Sequence, residues 1–226
     1  MLKSDREHWG SIAKLFHWTI VLLIILQGAV GLYMTDQPKS PRIIPWYTFH
    51  KSVGLTILAL AVLRLAWRAF DARPIEPASM PAWQKFGARG GHIVLYVLIF
   101  LVPLTGWRFD SVSALRPLYW FGLFEVPHLG APDPEGKELA RDWHEWTFWA
   151  LVVVAAGHAA VALVHQFVLR DNVLGRMWPD WLQPKARTSP SISVPIIAEE
   201  TADAASNPNA ADSTGAQPDP APRDRA

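Results

Sequence analysis

The sequence predicts an all-α integral membrane protein, a bundle of four transmembrane helices followed by a disordered C-terminal tail. Three stretches contain no Asp, Glu, Lys or Arg: 21 residues from Leu15 to Thr35, 18 from Gly90 to Trp107 and 24 from Trp146 to Leu169. An α-helix needs about 20 apolar residues to cross a bilayer core of about 30 Å. Each stretch is therefore close to the length of a transmembrane helix or exceeds it.

The first helix is predicted at about residues 14–35. It follows a basic start, as the core of a signal peptide does, but the apolar run is too long for such a core and has no convincing Ala-x-Ala cleavage site. We therefore expect a helix that is retained.

The second helix is predicted at about residues 46–69, although three basic residues interrupt this stretch, Lys51, Arg64 and Arg68. Arg64 and Arg68 are one helical turn apart, so both side chains can extend to the same headgroup layer. A transmembrane helix is compatible with these charges.

The third and fourth helices are predicted at about residues 90–109 and 144–169. The segment from Asp110 to Asp142 between them is the longest connection and contains several prolines. Together the four helices form one transmembrane domain, residues 1–186. Residues 187–226 are rich in Ala, Pro, Ser, Asp and Asn and nearly lack aromatic residues, which predicts a disordered tail.

The positions of Lys and Arg predict the orientation in the membrane, because these residues accumulate on the cytoplasmic side. With the N-terminus inside, twelve of them up to Arg187 lie on the inner side and seven lie on the outer side. We therefore expect both termini, and with them the tail, to be cytoplasmic.

Four histidines lie within the apolar helices at two depths. His17 begins the first helix at the inner side, and His50 begins the second at the outer side. His144 and His158 are 14 residues apart on the fourth helix, which places them about 21 Å apart along the axis and about 40° apart around it. Because an unpaired polar ring in hydrocarbon costs a few kcal/mol, two layers of imidazoles need a common explanation.

Four further histidines give alternatives. His165 lies seven residues after His158 on the same face and competes with it for the inner position, and His92 begins the third helix at a depth similar to that of His17. His8 and His128 lie in polar segments, where an exposed imidazole needs no special explanation.

A pair of haems, each held between facing helices, accounts for the two layers, because imidazole nitrogens are good axial ligands of haem iron. The chain has no Cys, so the haems would be bound noncovalently as b haems, and an iron–sulfur cluster is excluded. A dinuclear metal site is the alternative, but it would need carboxylates inside the helices, and Glu145 is the only acid beside a candidate ligand. We find no glycine motif for nucleotides and no nucleophile elbow.

The helices also resemble the bacterial cytochrome b561 family over roughly residues 8–180. The resemblance is carried by KLFHW, FHKSVG, GHIVLYVLIFLVPLTGW, WHEWTFWALVVVAAGHAAVALVHQF and RDNVLGRMWP. It implies a four-helix bundle in the bacterial inner membrane with two b haems per chain, and it implies as axial ligands His17, His50, His144 and His158.

Depth in the predicted topology then gives the pairing of these ligands. His50 and His144 both lie near the outer surface, while His17 and His158 lie near the inner one. We expect the pairs His50 with His144 and His17 with His158, which would form an electron path across the membrane.

The resemblance further implies electron exchange with membrane quinone, and its short, stand-alone members suggest oxidation of superoxide at the outer haem with ubiquinone as acceptor. Basic residues on the outer side could attract this small anion: Lys51, Arg108, Arg116 and Arg141. Four acidic residues of the outer connection dilute that field. We expect membrane lipid and quinone as partners, superoxide or a redox protein as donor, and no nucleic acid.

Two alternatives remain open at this point. The chain could be the cytochrome b subunit of a hydrogenase or another dehydrogenase, for which the resemblance implies an additional helix that the chain lacks. It could also be a redox-silent membrane scaffold or transporter whose histidines serve as proton or structural sites.

Overall fold

The computed structural model describes residues 1–5, 8–72, 74–75, 81–113, 116–170 and 173–178. The predicted tail at 187–226 lies outside the described residues.

Four long helices form the fold: α1 (Ser11–Asp36), α2 (Ile44–Phe70), α3 (Ala82–Ser113) and α4 (Lys137–Val164). Each is long and apolar enough to span a membrane, which confirms the predicted all-α membrane fold. Helices α3 and α4 begin several residues before the apolar runs, because Lys85, Arg89, Glu138 and Arg141 are good helix formers and extend the helices beyond the hydrocarbon layer.

The helices pack in sequence order, α1 against α2, α2 against α3 and α3 against α4. Large apolar side chains point away from these contacts, and more than half of the surface of Leu22, Ile25, Val97 and Val153 is exposed. Such a surface would be unfavourable in water. In a bilayer it faces lipid tails, while the backbone polar groups are satisfied within the helices.

The N-terminal segment caps α1 with its own backbone. No side chain caps the helix, but the N–H of Ser11 donates to the Met1 carbonyl (3.0 Å) and that of Ile12 to the Leu2 carbonyl (3.4 Å). These bonds satisfy donors that have no partner within the helix. Gly10 permits the fold-back, because a Cβ at this position would overlap the backbone of Lys3.

The C-terminal end of α4 continues into a π-helical turn, His165–Leu169, and Arg170 ends it in the left-handed conformation with φ 56°. A short helix, α5 (Val173–Met177), follows. The indole N–H of Trp18 donates to the Met177 carbonyl (2.8 Å). Thus α1 and the segment after α4 are joined at one end of the bundle, which we call the terminus end.

A β-hairpin lies at the opposite end, which we call the hairpin end. Strands β1 (Leu118–Trp120) and β2 (Phe124–Val126) pair antiparallel. The Phe121 N–H donates to Ser52 Oγ (3.0 Å), and the Trp120 indole donates to Thr56 Oγ1 (3.1 Å). Ser52 is fully buried, so the hairpin is anchored on α2. The sequence predicted only a long connection here, because strands of three residues give little periodic signal.

The remainder of this connection is fastened to α3. The Leu129 N–H donates to Ser111 Oγ (2.8 Å), and the Trp107 indole donates to the Pro127 carbonyl (2.9 Å). Ser111 is also fully buried. The connection therefore lies against both α2 and α3 at the hairpin end, where His50 and His144 are found.

Candidate functional site

Two predicted ligands face each other at the hairpin end. The rings of His50 on α2 and His144 on α4 have centroids 6.2 Å apart, and their planes are inclined at 85°. These residues are far apart in the sequence, and the packing of α2 against α3 and of α3 against α4 brings them together.

The distance between these rings fits two axial ligands of one iron. An imidazole nitrogen binds a metal ion at about 2 Å, and the ring centre lies about 1 Å further away, so two imidazoles that share one ion have centroids about 6 Å apart. The His50–His144 separation meets this requirement. Within the described ranges, the His, Asp and Glu side chains form no group of three or more that could hold a metal ion, so the geometry offers pairs of imidazoles.

The surroundings of His144 set its tautomer. Its Nδ1 lies 3.0 Å from the Val102 carbonyl oxygen. Because a carbonyl can only accept, Nδ1 carries the proton and Nε2 retains its lone pair. A carbonyl that accepts a hydrogen bond from the other ring nitrogen orients a metal-binding histidine and makes it a better ligand. Thr105 Oγ1, 3.3 Å from Nδ1, further holds the ring.

His50 has a polar atom that the protein does not satisfy. Its Nδ1 is buried and has no hydrogen-bond partner in the described part of the chain, which costs about 1–3 kcal/mol. The backbone is fixed instead, since the Gln27 amide donates to the His50 carbonyl. A ligand bound between the rings would account for this position of the imidazole.

Glycines leave room for both rings. A Cβ at Gly31 of α1 would lie 3.2 Å from His50 Cε1, and one at Gly106 of α3 would lie 2.9 Å from His144 Cε1. Any larger residue would displace an imidazole. The spaces on either side of the pair are therefore shaped by the absence of side chains, and the histidines, carbonyl and glycines together fit a b haem.

Replacement of Gly106 by Ala tests this role. Ala is the better helix former by about 1 kcal/mol, but its methyl group would press on His144, and overpacking of this kind costs about 1–3 kcal/mol. We expect haem affinity to fall by roughly tenfold or more, measured as haem per chain after purification. Gly87→Ala on the same helix is the control, because a Cβ there meets nothing within 4 Å. Equal haem content in both variants would contradict the role of Gly106.

The histidines of the terminus end are arranged differently. The His158 ring packs against His92, with centroids 5.3 Å apart and planes at 67°. This separation is too short for an ion between the rings. The His17 ring contacts Trp18, and its Nδ1 lies 3.3 Å from Arg64 Nη1. His17 lies close enough to His92 and His158 for charges on these rings to interact. In the described part of the chain, however, the rings of His17 and His158 are not in contact.

The remaining histidines lie apart from both layers. His165 is buried in the π-helical turn, with 8% of its surface exposed, and it interacts with another group of the protein. His8 lies 3.8 Å from Asp5 and is exposed, and His128 is exposed in the connection.

The four basic residues proposed to attract an anion differ in their partners. Lys51 forms an ion pair with Asp110, whose side chain is only 9% exposed. Arg141 pairs with Glu138 (3.0 Å) and Asp142 (3.3 Å). Arg108 donates to the Leu129 carbonyl (3.3 Å), and Arg116 is exposed. Among the described carboxylates, none neutralises Arg108 or Arg116, so these two retain most of the positive field.

Several residues of the site were not predicted from the sequence. The Val102 carbonyl, Thr105 and Gly106 act on His144 only because α3 packs against α4. A weak signal existed in the glycines at helical spacing, since small residues allow close approach in membrane bundles. No sequence signal identifies which carbonyl faces His144.

The family model described as prokaryotic cytochrome b561 matches residues 8–180. "Cytochrome b561 homolog 2" of Escherichia coli (strain K12) is 30% identical over 175 residues, which cover 76% of this chain and 91% of the relative. "Probable superoxide oxidase CybB" of Yersinia pestis is 30% identical over 167 residues, which cover 72% of this chain and 91% of the relative.

A more distant relative is "Cytochrome b562" of Cereibacter sphaeroides. It is 29% identical over 167 residues, which cover 71% of this chain and 89% of the relative. The family match at residues 8–180 includes the four long helices.

Proposed function

Because the chain belongs to the prokaryotic cytochrome b561 family, whose members are membrane electron-transfer proteins with b-type haem, we propose that it carries single electrons between a donor at the hairpin end and membrane quinone. The His50–His144 pair is the observation that supports this proposal best. When bound, a b haem supplies a one-electron redox centre.

The chain's own residues hold this group and limit what it can do. His50 and His144 would hold the haem iron with one imidazole each, and the Val102 carbonyl keeps the proton of His144 on Nδ1. With two imidazoles bound, no site remains open for oxygen at the metal. We therefore infer electron transfer at the edge of the site rather than oxygen binding.

We propose a second haem at the terminus end, with His17 and His158 as ligands. The ring contacts of the two residues with other partners require a rearrangement of His158 away from His92 and of Arg64 away from His17 Nδ1. The two haems per chain would then form an electron path along α4, whose His144 and His158 lie about 21 Å apart.

We propose that the terminus end is cytoplasmic and the hairpin end faces the outside of the bacterial inner membrane. The distribution of Lys and Arg supports this orientation. The hairpin and the connection to α4 then lie over the outer pair and define how a soluble donor approaches it.

Superoxide is the donor that we propose, with ubiquinone as acceptor. Two superoxide anions each lose one electron and become two molecules of dioxygen, while one quinone takes up the two electrons and two protons and becomes quinol. The name of the Yersinia pestis relative supports this substrate. Arg108 and Arg116, which no described carboxylate neutralises, would attract the anion.

A superoxide assay tests this proposal. We expect superoxide to reduce the purified protein rapidly and ubiquinone to reoxidise it. Arg108→Gln should slow the reduction severalfold at low salt and little at high salt, because steering by charge is screened. Arg89→Gln is the control, since it removes the same charge at the opposite end of the bundle.

Two results would contradict the choice of donor. Slow reduction by superoxide, with fast reduction by a co-purifying dehydrogenase, would instead support the subunit alternative. Equal effects of Arg108→Gln and Arg89→Gln would contradict the role of Arg108 while leaving the reaction itself supported.

A further inference from the structure

Two arginines of α2 stack on the same aromatic ring at the terminus end. The guanidinium carbons of Arg64 and Arg68 lie 5.6 Å and 5.9 Å from the centroid of the Tyr96 ring, and Arg68 also lies 5.8 Å from the centroid of a Trp9 ring. Aromatic faces hold guanidinium groups by cation–π attraction. Such stacking leaves the N–H edges available for an acceptor.

Among the described residues, neither arginine has an acidic partner. No carboxylate in the described part of the chain forms a salt bridge with Arg64 or Arg68. Asp71, three residues after Arg68, accepts instead from the Ser4 N–H (2.9 Å) and the Ser4 hydroxyl (2.6 Å). Both cations belong to a helix that is predicted to span the membrane, where uncompensated charge is costly.

A third donor lies at this place. The Tyr96 hydroxyl is buried and has no hydrogen-bond partner among the described residues. A buried hydroxyl without a partner is unfavourable. The terminus end thus combines two positive charges and an unused donor around one ring.

The contact of Arg64 with His17 relates these donors to the proposed haem. Arg64 can only donate, so in this structure His17 Nδ1 accepts (3.3 Å). A histidine that binds iron through Nε2 carries its proton on Nδ1 and can no longer accept. Ligation by His17 would therefore release the Arg64 guanidinium beside the bound group.

We propose that Arg64 and Arg68 bind the two propionates of the haem at the terminus end, with the Tyr96 hydroxyl as an additional donor. Two carboxylates would balance the two guanidinium charges, and Arg pairs with carboxylates through two parallel hydrogen bonds. A quinone carries no such charge and would leave both arginines uncompensated. The inference rests on the proposed second haem.

The test uses the full-length protein purified with its haem, as Arg64→Gln and Arg68→Gln variants. Loss of a positive charge beside a propionate favours the oxidised haem. We expect the midpoint potential of one haem to fall by the equivalent of a roughly tenfold change in its redox equilibrium, about 59 mV for one electron. The second haem should be unchanged, and the propionate bands in the redox difference infrared spectrum should shift. Arg64→Lys, which keeps the charge, should restore most of the potential.

Arg89→Gln is the matched control, because Arg89 is a basic residue of α3 at the same end of the bundle and is exposed. Unchanged potentials and propionate bands in the Arg64 and Arg68 variants would overturn the inference. So would changes that occur only in vesicles containing anionic lipid, because the arginines would then bind lipid phosphate. A preparation without the second haem would instead contradict the proposed function on which the inference rests.

Discussion

Purified His144→Ala protein is expected to contain one haem per chain instead of two. His144 would supply one axial ligand of the haem at the hairpin end, and it is the ligand whose Nδ1 is fixed by the Val102 carbonyl at 3.0 Å. Alanine removes the ligand and leaves the opposite His50 without a partner. The haem content is measured from the pyridine haemochrome spectrum relative to protein.

The His50→Ala variant should give the same loss, because both rings face the same space at a centroid distance of 6.2 Å. His128→Ala is the control, since His128 is exposed in the connection between α3 and α4. Two haems in the His144→Ala protein would exclude His144 as an axial ligand. A loss of both haems would show instead that the bundle requires this residue for folding, and His144→Met, which retains bulk and a weak ligand, then decides between the two roles by the spectrum of the remaining haem.

His158→Ala is expected to remove the other haem and to leave the spectrum of the first unchanged. This variant separates the histidines of the terminus end, where the structure brings His158 against His92 rather than against His17. We expect His17→Ala to have the same effect as His158→Ala. The His92→Ala variant should retain both haems with at most a shifted midpoint potential, because we expect His92 to pack against a ligand without being one.

Two outcomes would reassign the ligands of this end. Loss of the haem in His92→Ala with retention in His17→Ala would identify His92 as the partner of His158. Loss of the haem in His165→Ala with its retention in His158→Ala would place the ligand seven residues further along the chain, at the start of the π-helical turn. His165 is buried at the start of the π-helical turn, so its substitution also requires a check of helix content by circular dichroism.

The four helices could be predicted from the sequence because their apolar runs match the thickness of a bilayer. The first residues of α3 and α4 could not be predicted. Both helices begin before their apolar runs, because charged residues of high helix propensity precede these runs. The hairpin at residues 118–126 was not predicted either. Its two strands contain three residues each, and it depends on distant contacts with Ser52 and Thr56.

Histidines could be recognised from the sequence as candidate ligands because imidazoles in hydrocarbon are costly and these lie at two depths, but only the family resemblance chose four of the six. Spacing on one helix could not choose between His158 and His165, which share a face. The groups that act on the ligands were beyond sequence reasoning, because the Val102 carbonyl reaches His144 across a helix interface. For the same reason the pairing of Lys51 with Asp110, which removes one of the four candidate bases from the outer field, became visible only in the fold.

The haem stoichiometry of the unaltered protein tests whether the chain binds two b haems. The chain is expressed in haem-replete cells, purified, and measured for haem and protein, followed by extraction of the haem into acidified organic solvent. We predict two six-coordinate, low-spin b haems per chain, both extractable because the chain has no Cys to attach them. A preparation without haem, or with haem that remains bound after extraction, would contradict the account.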